Sequence, residues 1–170
     1  TYSRITISGT DGLIAYSDAL QSSATAEINA AIEDGAALNK ELDAALSAAK
    51  EAQSASTKAT IDQKMETAFA NIAGIIASAN AMDAHAQAAI AADPDEDGIR
   101  TAAATVSEMV ANVKNWANAA SNTATNDVIT NTSVTVQKIF VDSVVNNLDA
   151  ARNGFDADGN GLVGISSQVV

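Results

Sequence analysis

Between Ile61 and Ile90 the chain repeats apolar residues at steps of three or four: Ile61, Met65, Ala68, Ile72, Ile75, Ala79, Met82, Ala86 and Ile90. Side chains at that spacing share one face of an α-helix, and a period close to seven residues is that of helices packed side by side. The stripe ends at Pro94, which is the chain's one proline. A ring at that position removes a backbone donor and stops a helix. Alanine, the strongest helix former, supplies about a fifth of the residues. The chain is 47% hydrophobic but only 4% aromatic, so its core has to be built from small side chains on long helices. These features predict an all-α domain.

The same spacing extends to either side. Leu13, Tyr16, Leu20, Ala24, Ile28 and Ala31 form a stripe after Asp11, a residue able to cap a helix start. Asp34-Gly35 interrupts it, and Leu38, Leu42, Ala45, Leu46 and Ala49 resume it as far as about Gln53. A turn is expected over 54–57, followed by a capping box at Thr60 and Gln63. A third stripe runs through Ile99, Ala102, Val106, Met109, Val113, Trp116 and Ala120, with a turn expected over 118–126. Residues 127–153 read as a fourth helix with a broad apolar face. The first residues differ: Arg4-Ile5-Thr6-Ile7-Ser8 alternates polar and apolar residues as a short strand does. The expected organisation is an extended segment over 1–10, a helical bundle over 11–155 and a loop-like segment over 156–170. Short turns imply an up-and-down antiparallel bundle of four long helices, the first either continuous or split near Gly35. With the first helix continuous, both acidic segments described next belong to one pole.

Charge and composition exclude several classes. A net charge of −12 leaves no basic surface to displace the counterions of nucleic acid. No apolar run approaches the roughly 18–20 residues of a membrane span. The absence of cysteine removes disulfides, thiolate metal sites and cysteine nucleophiles. A start at Thr1 rather than Met is what is expected after removal of a leader, and equally of a trimmed chain.

Two acidic segments carry the chemistry. In Phe155-Asp156-Ala157-Asp158-Gly159-Asn160-Gly161-Leu162-Val163, oxygen-bearing side chains alternate and a glycine follows the third. Asp93-Pro94-Asp95-Glu96-Asp97-Gly98 has the same pattern. Hard cations such as calcium take such all-oxygen sets. The 155–163 segment resembles the first part of an EF-hand loop. The resemblance implies Asp156, Asp158 and Asn160 as side-chain ligands, Gly161 as the sharp turn and Leu162 as a carbonyl ligand. In the upstream copy it implies Asp93, Asp95, Asp97 and the Ile99 carbonyl. Both copies depart from the pattern where a bidentate glutamate is required, which is Ser167 in one and Ala104 in the other. Glu96 or Glu108 could compensate in the upstream copy. No exiting helix is expected after the downstream one. A loop short of one carboxylate binds calcium weakly, in the roughly 10⁻⁴–10⁻³ M range of extracellular modules.

Nothing in the sequence suggests catalysis. His85 is the one histidine, too few for a His-based transition-metal site or a paired Glu-x-x-His di-iron centre. No nucleophile–base pair is visible, and an enzyme acting on a small-molecule substrate is not expected. Met65, Met82, Met109 and Trp116 lie on the apolar stripes and read as core. Asn131-Thr132-Ser133 has the form of a glycosylation acceptor, a short and weak motif. The expectation is an extracellular or cell-surface structural protein: a calcium-stabilised bundle that self-assembles as a filament, surface-layer or adhesin component. The strand at 5–7 would pair within the chain, with 162–165 or 168–170, or be donated to another subunit. The alternative is a monomeric calcium-dependent module that binds a protein or ligand.

Overall fold

The computed structural model describes residues 9–123, 127–155 and 160–169. It contains five helices, α1 (Gly9–Ser54), α2 (Lys58–Ala92), α3 (Asp97–Thr123), α4 (Val134–Phe155) and α5 (Asn160–Gln168). There is no strand among the described residues, and no described helix is long and apolar enough to cross a membrane. The all-helical bundle is therefore as expected. The number of helices and several boundaries are not.

The bundle is set by one spacing. In α1 the inward positions are Ala24, Ile28, Ala31, Gly35, Leu38, Leu42, Ala45, Ala49 and Ala52. In α2 they are Ile61, Met65, Ala68, Ile72, Ile75, Ala79, Met82, Ala86 and Ala89. Steps of four and three alternate without a fault, the repeat that keeps one seam facing its neighbours along a whole helix. The strict alternation selects Ala89 and leaves Ile90 exposed, which corrects the last residue of the predicted stripe. Gly35 falls on the seam, so α1 runs unbroken through it. Gly35 supplies room: a methyl group there would sit 2.7 Å from Leu162 Cδ2 and 3.1 Å from Met82 Cε.

Successive helices are antiparallel. His85 meets Glu27, Ser78 meets Glu41 and Lys64 meets Glu51, so partners on α1 advance as those on α2 recede. Ser107 on α3 reaches Asp83 on α2 at 3.3 Å. The fourth track closes on α1 through Gln53–Asp142 at 2.8 Å, Lys50–Asp149 at 3.5 Å and Arg152–Asp43 at 2.9 Å. At the α1–α2 turn the cap is Thr57, whose hydroxyl accepts the Thr60 N–H at 3.3 Å, three residues before the expected cap.

α3 continues to Thr123, past the expected turn, and α4 begins at Val134 rather than at 127. Asn131 Oδ1 accepts the Ser133 N–H at 3.0 Å, which holds the chain out of a helix there. Val128 is buried, and its carbonyl accepts a bond from Gln137 Nε2 at 2.8 Å. Gln137 occupies an inward slot of α4 and also donates to Asp62 Oδ1 at 2.8 Å, tying α2, α4 and the turn together.

α5 is the main correction to the expected architecture. Residues 160–168 form a helix instead of a loop-like or strand-forming tail. Leu162, Ile165 and Val169 are buried, and they resume the register of Leu148, Ala151 and Phe155 with no residue gained or lost. α5 also keeps the track of α4 along α3: Gly154 lies against Asn112, and Gly98 lies against Gln168. The two contacts are equally spaced along both partners. The proposed extended segment over 1–10 shortens at least to 1–8, because α1 already starts at Gly9, and the strand at 5–7 lies outside the described residues.

Gly98 sets how closely α5 seats. A methyl group there would lie 2.6 Å from the main-chain oxygen of Gln168, and backbone cannot rotate away as a side-chain tip can. Gly98→Ala is expected to lower stability by about 1–3 kcal/mol through overpacking, against the roughly 1 kcal/mol that alanine adds as a helix former. Thermal melting checks the sign, and hydrogen exchange should place the loss in α5. A rise in Tm would show that the contact is not tight.

Candidate cation sites at the acidic loops

The upstream loop forms where α2 gives way to α3. Asp93 closes α2, and its N–H donates to Ala89 O at 3.1 Å. Pro94 and Asp95 make the turn, and the Arg100 N–H bonds Glu96 O at 3.1 Å to start α3. Asp97 and Ile99 are consequently residues of α3. In an α-helix a carbonyl is committed to the N–H four residues on, so the Ile99 carbonyl is not presented to the loop. Asp97 points outward and pairs with Arg100, whose other guanidinium nitrogen donates to Pro94 O at 2.7 Å. The loop therefore does not gather Asp93, Asp95 and Asp97 around one point. Among the described residues, no three His, Asp or Glu side chains converge as a metal site.

Asp93 stands apart from its neighbours. It is only 8% exposed, while Asp95 and Asp97 are exposed. Among the described residues its carboxylate makes no hydrogen bond or ion pair, yet its oxygens are not among the buried polar atoms left without a partner, so the exposure that Asp93 retains lies at the carboxylate. Glu96 is half-buried, with Oε1 3.7 Å from where a methyl group on Gly98 would be, on the same point that Gln168 O approaches to 2.6 Å. The end of α5 thus abuts the loop, an adjacency that spacing within 93–98 could not reveal.

Of the downstream ligands, Asp156 and Asp158 lie outside the described residues. Asn160 is the first residue of α5 and Leu162 lies within it, its side chain packed at Gly35 and Met82. The downstream segment begins beside Asn112, about fifteen residues along α3 from the upstream loop. At 1.5 Å per residue that is about 22 Å. The expected single acidic pole is not formed; the pole holds the upstream loop and the C-terminal end of α5. Glu108 instead lines a cleft between α3 and the end of α4, with Thr105, Met109, Asn112 and Gly154.

His85 sits on the α1–α2 seam, with Nδ1 2.7 Å from Glu27 Oε2 and Nε2 3.4 Å from Asp34 Oδ2. Each ring nitrogen faces a different carboxylate, so the three groups are strung along the seam and do not enclose a point. The arrangement joins two helices. Two further surface depressions are each lined from α1 alone, by Asp43, Leu46 and Lys50 in one and by Asp18, Gln21 and Thr25 in the other. One helix face does not enclose a ligand.

Comparison with protein families, curated proteins and solved structures finds no match to this chain.

The His85 contacts are half-exposed, and exposed pairs contribute about 0–1 kcal/mol. A double-mutant cycle with His85→Gln and Glu27→Gln is therefore expected to give a coupling below about 1 kcal/mol by denaturant unfolding. A coupling several times larger would mark the trio as a principal α1–α2 fastening.

Proposed function

We propose that this chain is a structural protein of the extracellular space or cell surface, a four-track helical bundle steadied by calcium that assembles with copies of itself. The observation that carries the reading is the length of α1. It has 46 residues against 35 in α2, and the two share a tight turn at 55–57, so the excess lies at the start of α1. Eleven residues correspond to about 16 Å of helix beyond the end of α2. Residues 15–19 are exposed, and the first buried position among the residues whose burial is described is Ala24.

Helix that stays exposed, as residues 15–19 do, costs ordering entropy and returns little burial. Tyr16 is among the exposed large apolar residues there. A contact with a second copy supplies the missing burial, and the apolar spacing of the sequence continues into this segment.

The calcium part of the reading rests on the alternating oxygen ligands of Asp156, Asp158 and Asn160 and on the net charge of −12. A site lacking the bidentate carboxylate fills only where calcium approaches millimolar levels, which favours an extracellular setting. No catalytic role is proposed. A monomeric binding module remains the alternative, although the clefts described above give it little enclosed surface.

Light scattering after size exclusion, with electron microscopy in calcium and then in chelator, tests assembly and its metal dependence. A chain beginning at residue 20 keeps every buried position described in α1, from Ala24 onward. It is expected to stay folded by circular dichroism and to become monomeric. A full-length chain that is monomeric at high concentration, in calcium as well as in chelator, would sink the assembly reading.

A further inference from the structure

Given self-assembly as proposed above, we infer that copies of this chain join head to tail. The pole where α1 starts, with its helical extension, docks on the opposite pole of the next copy, beside Ile129 and Ile139.

The leftover apolar surface lies at the two ends. Among the described residues the exposed large apolar side chains are Tyr16, Ile90, Ile129 and Ile139. Tyr16 is on the α1 extension and Ile90 is in the last turn of α2, both at the pole where α1 starts. Ile129 is in the α3–α4 connection and Ile139 is in the second turn of α4, both at the opposite pole. Each pole therefore holds two of the four, and the flanks between hold none. The α1 extension also leaves the register of its own bundle. Steps of three and four carried back from Ala24 reach Gln21 and Ser17, both polar. Tyr16 falls one residue off that seam, about 100° around the helix. Its ring is thus directed away from the seam that α1 shares with the rest of the bundle.

Charge selects which poles meet. Asp18, Glu27, Asp83, Asp93, Asp95, Glu96 and Asp97 lie around the first pole, against Arg100 among the described residues. The opposite pole is nearly balanced, with Lys50, Lys58, Lys64 and Lys138 against Glu51, Asp62, Glu66, Asp127 and Asp142. Two first poles brought together would set acidic groups against acidic groups, an arrangement that disfavours docking. A head-to-tail contact sets them against a surface that carries lysines. Those lysines offset part of the acidic charge and leave the rest to a cation. Because the two surfaces differ, each contact leaves one free pole of either kind, and growth does not stop at a dimer. α2 alone spans about 50 Å at 1.5 Å for each of its 35 residues. Contacts at opposite ends of such a rod build a filament with an axial repeat of about 50 Å.

The test uses Tyr16→Asp, which spoils the first pole, and Ile139→Asp, which spoils the opposite one. Both positions are exposed, so both variants are expected to keep the wild-type circular dichroism. Light scattering after size exclusion, in millimolar calcium, should show wild type forming species larger than a dimer that grow with concentration. Each variant should need about ten-fold more protein or more to associate, as loss of an apolar anchor implies. Mixed in equal amounts, the two variants should form dimers and go no further, since one retains an intact first pole and the other an intact opposite pole. Assembly of either variant at the wild-type concentration, or mixed variants that stay monomeric, overturns the head-to-tail contact and leaves self-assembly standing. A wild-type chain that is monomeric throughout overturns both.

Discussion

The strict alternation of three- and four-residue steps, filled mainly by alanine and branched aliphatic side chains, is the constraint from which the rest of the structure follows. A seam that never slips lets helices of 46 and 35 residues stay in contact over the whole shared length. Alanine at Ala31, Ala45, Ala49, Ala68, Ala79 and Ala86 brings the backbones close. Each such residue buries little area, and hydrophobic stabilisation scales with apolar area. Length compensates: many small contacts along extended seams replace the few large aromatic ones of an ordinary core. Gly35 is the limiting case, a seam position reduced to backbone so that Leu162 can occupy the space.

That rule extends to the fourth track. α4 and α5 carry one inward register, from Gln137 through Phe155 to Val169. By sequence count, the slot between Phe155 and Leu162 falls on Asp158, a carboxylate in a stripe otherwise made of apolar groups and Gln137. In the sequence pattern the acidic segment is therefore also an interruption of the apolar spacing. A helix as short as α5 is marginal alone, so its order depends on the surfaces it meets: Leu162 at Gly35 and Met82, and Gln168 at Gly98 and Thr105.

Much of this is legible in sequence. The stripe from Ile61 to Ala86 is read residue for residue, because an unbroken heptad leaves no competing period. Ile90 misleads because hydrophobicity favours it over Ala89, whereas packing responds to angular position. Gly35 reads as a break because glycine is a poor helix former; its partner Leu162 is far along the chain. The helix at 160–168 is hidden by a motif that accounts for the same residues as a loop, although Leu162, Ile165 and Val169 have helical spacing. Of the candidate ligands, Asp93 is distinguished by burial, a property that spacing does not encode. Arg100 appears in the sequence only as a mismatch to the loop pattern, yet it pairs with Asp97 and Pro94 O and so takes part of that pattern out of use.

The placement of charge connects the bundle to its proposed assembly. The α1 extension, the Asp93 loop and the end of α5 all gather at one pole. Contact between two copies through that pole would bring like charges together, since the chain carries −12 overall and the pole contains Asp93, Asp95, Glu96 and Asp97 against Arg100. Repulsion between exposed charges is screened within about 8–10 Å at ordinary ionic strength, but it acts fully on groups drawn into an interface. A divalent cation bound at that pole would reduce the repulsion. On the proposed reading, docking of a second copy through this pole therefore draws on neutralisation by a divalent cation, which is why assembly is expected to depend on calcium.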